Sequence, residues 1–295
     1  MDNSAGNRVP TRAASGWLSG LAGVVIFSGS LPATRLALRD FDPGFLTFAR
    51  ATLAAAVALM LIAISRAPLP LKKHLPGLAI TAGGVVVGFP LLTAMALQHI
   101  TAARSIVFLG LLPLSTALCA VLRGGERPRP AFWLFSVAGS ALVAGFALGL
   151  PAAASAAGDL LMLAAIAVCG LGYAEGARLS RRLGGWQTIC WALIAALPVM
   201  AAGAIATFPA GIARVHPAGW AALGYVSLFS MLIGFIFWYR GLALGGIAAV
   251  GQLQLLQPLL GLMLSALLLH ESVSAAMLLT TTAVLACVAG AKKMA

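Results

Sequence analysis

Residues 248–271, AAVGQLQLLQPLLGLMLSALLLHE, form an apolar run of helix length that carries three glutamines (Gln252, Gln254, Gln257), a central Pro258 and a terminal Glu271. Residues 103–126, ARSIVFLGLLPLSTALCAVLRGGE, repeat its plan: Pro113 precedes Glu126 by the same thirteen residues that separate Pro258 from Glu271. At this offset of 145 residues, Ala103, Leu111, Leu114 and Leu122 also meet Ala248, Leu256, Leu259 and Leu267. Leucine and alanine matches carry little weight in so apolar a chain. A proline and a glutamate in register carry more, because the 295 residues include only 15 prolines and 7 acidic residues. The chain reads as an internal duplication.

Its solvent is mostly lipid. Hydrophobic residues make up 61% of the sequence and charged ones 9%, with a mean hydropathy of +1.01, whereas soluble domains carry about 25% charged residues. A net charge of +12 would point to nucleic acid in a soluble protein. Here the bases lie in short clusters between apolar runs, which is the pattern of membrane orientation signals, so nucleic acid is not expected as a partner. The four cysteines (Cys119, Cys169, Cys190, Cys287) are isolated in apolar runs with neither CxxC nor metal-ligand spacing. They read as small core residues, and neither metal nor cofactor is implied. Residues 1–16 are polar and read as a cytoplasmic tail, and Trp17 opens a retained span rather than a cleaved signal.

A helical span needs roughly 20 apolar residues. Ten stretches qualify: Trp17–Thr34, Gly44–Ser65, Pro76–Leu97, Ser105–Leu122 and Ala131–Leu148, then Leu160–Ala177, Thr188–Pro209, Ala218–Tyr239, Ala248–Leu269 and Ser274–Ala291. The sixth is the least clear, because Glu175 cuts its uncharged run short. With both termini cytoplasmic, the inner segments hold fourteen Lys and Arg and the outer ones only Arg35, Arg39, Arg104 and Arg214, with Arg50 left inside a span. That bias follows the positive-inside rule, and the expected location is a bacterial inner membrane with both termini cytoplasmic.

The duplication runs further. Arg35, Leu36 and Arg39 correspond to Arg178, Leu179 and Arg182 at an offset of 143, and Thr47–Ala55 resembles Thr188–Ala196 at 141. Each half, 17–150 and 159–291, then holds five spans, joined by the uncharged seam Pro151–Gly158. An odd number turns the second half upside down, giving an all-α integral membrane protein of ten transmembrane helices in two inverted five-helix repeats. Small-xxx-small pairs at Gly16/Gly20, Gly84/Gly88, Gly172/Gly176 and Gly241/Gly245 suit close helix packing in lipid.

Two five-span halves, Arg35 closing the first span, Arg50 early in the second, and a Pro followed thirteen residues later by a Glu in spans four and nine resemble the EamA family of the drug/metabolite transporter superfamily. The resemblance covers nearly the whole chain and is closest in general character to the YddG-type aromatic amino-acid exporters. It implies a central cavity through which small metabolites move outward. One departure is Arg35, where the family often has Lys; the charge is kept and the hydrogen-bond geometry changes.

The prolines mark where a site would lie. Each leaves the carbonyl four residues back without its amide, Leu109 for Pro113 and Gln254 for Pro258, and interrupted helices at matching places in two halves point to a transporter's site. Gln254 and Gln257 share a helix face and offer amides suited to a zwitterion; Gln252 faces elsewhere. Interhelical hydrogen bonding is the alternative role for these amides. Tyr225, Ser227 and Ser230 are further cavity candidates, with Ser28, Ser30, Thr93, Ser105 and Phe108 as first-half counterparts, whereas Trp238 and Tyr239 are expected in an interfacial aromatic belt. Arg50, roughly 9 Å below the outer boundary by helix rise, either attracts a substrate carboxylate or ties its helix to Asp40 or Asp42. Glu175 either pairs locally with Arg178 or serves as a proton site. Glu126 and Glu271 read as helix-end anchors, and Gln98 and His99 as solvent-facing.

No nucleotide-binding GxxxxGK[ST], HExxH or GxSxG is present, so neither an ATP-driven pump nor an enzyme is expected. The expectation is a secondary carrier exporting aromatic and other neutral amino acids by alternating access, with the lipid bilayer and the small-molecule cargo as its partners. Another metabolite or drug, or a passive pore, is the competing reading. The oligomeric state is left open, a monomer included.

Overall fold

The computed structural model describes residues 8–96, 98–100, 105, 108–149, 155–269 and 275–295. The described residues form helices and connections, with no strand among them. In chain order the helices are α1 (Ala13–Thr34), α2 (Pro43–Ile64), α3 (Lys72–Ala96), α4 (Leu112–Gly124) and α5 (Pro130–Leu148). They continue as α6 (Ala156–Leu183), α7 (Gly185–Ala206), α8 (Pro217–Gly245), the composite α9 (Ile247–Gly251, Gln252–Leu255 and Leu256–Leu269) and α10 (Ala275–Met294). Six of them, α1, α2, α3, α6, α7 and α8, are long and apolar enough to cross a membrane; α4, α5 and the first part of α9 are shorter apolar helices. Arg104, residues 151–154 of the seam, His270 and Glu271 lie outside the described residues.

Local chemistry sets several boundaries. Asp42 caps α2, its carboxylate accepting from Gly44 N at 2.7 Å and Phe45 N at 3.4 Å, with Pro43 at the first helical position. Gly184 and Gly246, at φ +91° and +90°, break the chain between α6 and α7 and between α8 and α9. A side chain would be strained at either position. The sixth helix is longer than the sequence suggests. It runs unbroken through Glu175, because Arg178 at 2.8 Å and Arg123 at 3.3 Å neutralise that carboxylate.

The helices pack across the two halves. α1 lies on α8, α3 on α6, α2 on α7, α5 on α10, and α4 on both α6 and α9. Glycines let the first two pairs approach at backbone distance: a Cβ on Gly241 would sit 2.6 Å from Gly20 N, and one on Gly84 would sit 2.5 Å from the Val168 carbonyl and 2.9 Å from Gly172 Cα. Lipid offers no hydrophobic drive between helices, so such contacts and Ser19 Oγ donating to Phe237 O (2.8 Å) hold the pairs. The outward faces carry Leu18, Ile64, Leu122, Leu134, Ile205 and Leu279, all exposed, as lipid contact requires. The first and last helices end on one face of the bundle, where Lys292 Nζ sits 4.7 Å over the Trp17 ring.

Two helices are not regular. α3 is π-helical over Ala82–Gly88 and α8 over Tyr225–Ile233. Shifted by 145 residues, the first segment falls on 227–233, inside the second. The repeat therefore extends to a backbone irregularity that no local residue pattern announced.

Candidate functional site

A small cavity of about 50 Å³ lies where the broken helices meet. Phe27 and Ser28 of α1 line it, with Leu109 just ahead of α4, Leu112 at its start, and Gln254, Gln257, Pro258 and Gly261 of α9. The two proline breaks expected from the sequence thus converge on one space. A third joins them. Pro32, in the last part of α1, removes the amide that would bond the Ser28 carbonyl, and that oxygen lies 3.2 Å from where a Cβ on Gly261 would stand. Pro32, Pro113 and Pro258 therefore withhold the usual amide from the carbonyls of Ser28, Leu109 and Gln254, the last of which accepts from the Leu256 N–H instead, and all three residues line the cavity.

The polar side chains around it are partly committed. Ser28 Oγ donates to Val24 O at 2.7 Å. Gln254, 2% exposed, donates from Nε2 to the Tyr173 hydroxyl at 3.1 Å, while its Oε1 is buried with no partner. Gln252 is fully buried, with neither amide atom partnered among the described residues, and does not line the cavity. An aromatic set stands behind the wall: Phe27 packs edge-on to Phe235 (5.0 Å) and Trp238 (6.3 Å), and Tyr173 to the same two rings at 6.0 and 5.6 Å.

Trp238 and Tyr239 are not belt residues. Both are fully buried, because they face α1 and α6 rather than lipid: Trp238 sits against Phe27 and Tyr173, and Tyr239 donates to Gly172 O at 3.3 Å. Tyr225, Ser227 and Ser230 lie off the cavity. Tyr225 fills the space left by the missing side chain of Gly29 and donates to Ile26 O at 2.9 Å; Ser30 donates to Ser230 at 2.8 Å; Ser227 bonds back to Leu223 O. Phe108 packs beside Ile100 and Met162, and Pro113 is buried in the first turn of α4. His99 and Gln98 are exposed.

Arg50 has no carboxylate partner among the described residues, and its Nε is buried and unpaired. Of the two roles open to Arg50, the tether to Asp40 or Asp42 is absent, because Asp42 caps its own helix and Asp40 pairs with His216 Nδ1 at 2.7 Å. Glu175 is fully buried between Arg123 and Arg178, so its local ion pair is observed and extended. Glu126 is a helix-end anchor of a specific kind. Its two oxygens accept from Ile247 N and Ala248 N, each at 2.8 Å, and it pairs with Arg181 at 2.6 Å. Gly246, the residue before α9, has no side chain to cap that helix, and Glu126 does so from the other half.

Ties between the halves therefore close both ends of the bundle. On the face carrying the chain ends are Glu126 to α9 and Arg123 to Glu175; on the other are Asp40–His216, Tyr225–Ile26 and Ser30–Ser230. A wider cleft of about 540 Å³ opens beside Trp17, Glu126, Arg127 and Lys292. It lies at the rim and shares no lining residue with the cavity at the proline breaks. Sequence reasoning missed Pro32 and Tyr173. Pro32 was legible by the rule already applied to Pro113 and Pro258; Tyr173 had no local signal.

A family model described as the EamA-like transporter family matches the chain twice, over residues 14–147 and 156–291. YdeK of Bacillus subtilis (strain 168), described as an uncharacterized transporter, is 59% identical over 281 residues, which cover 95% of this chain and 98% of that one. A crystal structure of a protein 21% identical superposes with a TM-score of 0.80 over 94% of this chain and 96% of that one, which supports the fold.

Proposed function

The chain belongs to the EamA-like transporter family, and from that premise we propose that it is a secondary carrier exporting aromatic and other neutral amino acids across the bacterial inner membrane. In this reading it crosses the membrane ten times, its halves 17–150 and 159–291 are inverted repeats, and both termini are cytoplasmic. The observation that carries the reading is the cavity itself, built where proline breaks from both halves meet, with Phe27 on its wall and Phe235, Trp238 and Tyr173 packed behind. Ligand pockets run from about 300 Å³ upward, so a cavity of about 50 Å³ corresponds to a closed state that must widen to accept cargo. Alternating access follows from the two sets of ties. Releasing Glu126 and the Arg123–Glu175 pair opens one face, and releasing the Tyr225, Ser30 and Asp40 contacts opens the other. The π-helical segments of α3 and α8, which flank these ties, are places where a helix can change register at low cost.

The reading is tested with purified protein in proteoliposomes and a panel of radiolabelled amino acids. Saturable counterflow of phenylalanine or tryptophan is expected. Failure across the whole panel removes the amino-acid cargo, and flux that does not saturate replaces the carrier with a pore.

A further inference from the structure

We infer that the cavity is a site for a positively charged amino group, so that the cargo is recognised by its ammonium end and its carboxylate is dispensable. This rests on the carrier reading above and narrows it to a substrate class. Among the groups lining the cavity, acceptors outnumber donors. The proline breaks leave the carbonyls of Ser28 and Leu109 without their usual amide, whereas the Gln254 carbonyl accepts from the Leu256 N–H. The Ser28 hydroxyl has spent its proton on Val24 O, so its oxygen can only accept. Gln254 is oriented by Tyr173: with Nε2 held at the phenol oxygen, the unpartnered atom of a side chain 2% exposed is the acceptor Oε1. Gln257 is the remaining two-way group, and no lining residue bears a charge.

A buried acceptor without a donor is costly, and the cost is relieved when a ligand supplies N–H groups. An ammonium supplies three. Phe27 lines the same wall, and an aromatic ring attracts a cation placed over its face. A carboxylate entering the same space would meet carbonyl oxygens and find few donors. A bare monovalent metal ion would satisfy the same oxygens, so the test separates the two sources of positive charge.

The experiment uses full-length protein in proteoliposomes and follows counterflow of labelled phenylalanine and labelled phenethylamine, with 3-phenylpropionate as the deaminated competitor. Phenethylamine is expected to compete at least about tenfold better than 3-phenylpropionate, the lower part of the range for leaving one buried polar group unpaired. Gln254→Leu should weaken phenethylamine about tenfold and leave the weak inhibition by 3-phenylpropionate unchanged. Gln254→Met, of similar length, repeats the comparison if the leucine variant does not fold. Tyr173→Phe should free the amide to rotate and narrow the gap between the two competitors. Equal or better competition by 3-phenylpropionate overturns the inference while leaving the amino-acid carrier standing. Phenethylamine counterflow without any phenylalanine counterflow does the reverse. Transport of 3-phenylpropionate that requires sodium assigns the acceptors to a metal ion and also overturns it. Where neither ligand is moved, thermal stabilisation by phenethylamine and not by 3-phenylpropionate supports it, and stabilisation by neither overturns it.

Discussion

Replacing Glu126 by alanine removes the cap of α9, and the structure sets the size of the loss. Two backbone amides, Ile247 N and Ala248 N, each lose a bond of 2.8 Å to the Glu126 carboxylate. An N-cap side chain contributes about 1 kcal/mol, and a negative charge at a helix N-terminus adds about 0.3–1 kcal/mol, more where partly buried. Glu126 is only 18% exposed, so water screens this little. A loss of about 2–3 kcal/mol results, and at about 2–4 °C per kcal/mol for a chain of this size class the Tm falls by about 4–12 °C. Arg181, 38% exposed, is the control. Losing that pair alone costs about 0–1 kcal/mol, so Arg181→Ala should move Tm by no more than about 4 °C. Glu126→Gln, which keeps one acceptor without the charge, should fall between. The assay is thermal unfolding of detergent-purified variants followed by buried-cysteine labelling. Equal losses for Glu126→Ala and Arg181→Ala would refute the capping argument and assign the contact to the ion pair.

Other outcomes can be checked alongside. Gly241→Leu should abolish monodisperse folded protein on size exclusion, since a Cβ there meets Gly20 N at 2.6 Å, whereas Gly83→Ala, with nothing within 4 Å, should be neutral. Glu175→Gln should leave the pH profile of counterflow unchanged, because both carboxylate oxygens are already held by Arg178 and Arg123; loss of the pH dependence would restore a coupling role. The imidazole of His216 holds the Asp40 carboxyl below the usual carboxylate range. A depressed carboxyl stabilises the fold above its unfolded pKa, about 3.9, and that contribution disappears as pH falls through the folded value. His216→Ala should therefore flatten the fall of Tm below about pH 4, and an unchanged acid limb would count against the pair.

The parts of the site that were legible in the sequence are those with covalent or one-helix causes. Pro113 and Pro258 withhold an amide from the carbonyl four residues back, and Gln254 and Gln257, three residues apart, share a face in any helix; all but the buried Pro113 line the cavity. Pro32 obeys the same rule. Trp238 and Tyr239 were misplaced at a lipid interface because their depth along α8 is readable and the helix they face is not. The π-helical turns in α3 and α8 have no sequence signature either, since they answer to the helices packed around them.

Composition, the spacing of apolar runs and the Pro–Glu repeat at an offset of 145 by themselves determined a duplicated, all-helical membrane protein with broken helices in both halves. These follow from the cost of exposing backbone to lipid and from the missing amide of proline, which act within a single helix. Tertiary structure decided which residues share the cavity, that Glu126 caps a helix 121 residues away, and that Tyr173, 81 residues from Gln254, leaves that amide an acceptor. Those are pairings between distant segments, and a contact between helices is selected by the packing of the whole bundle.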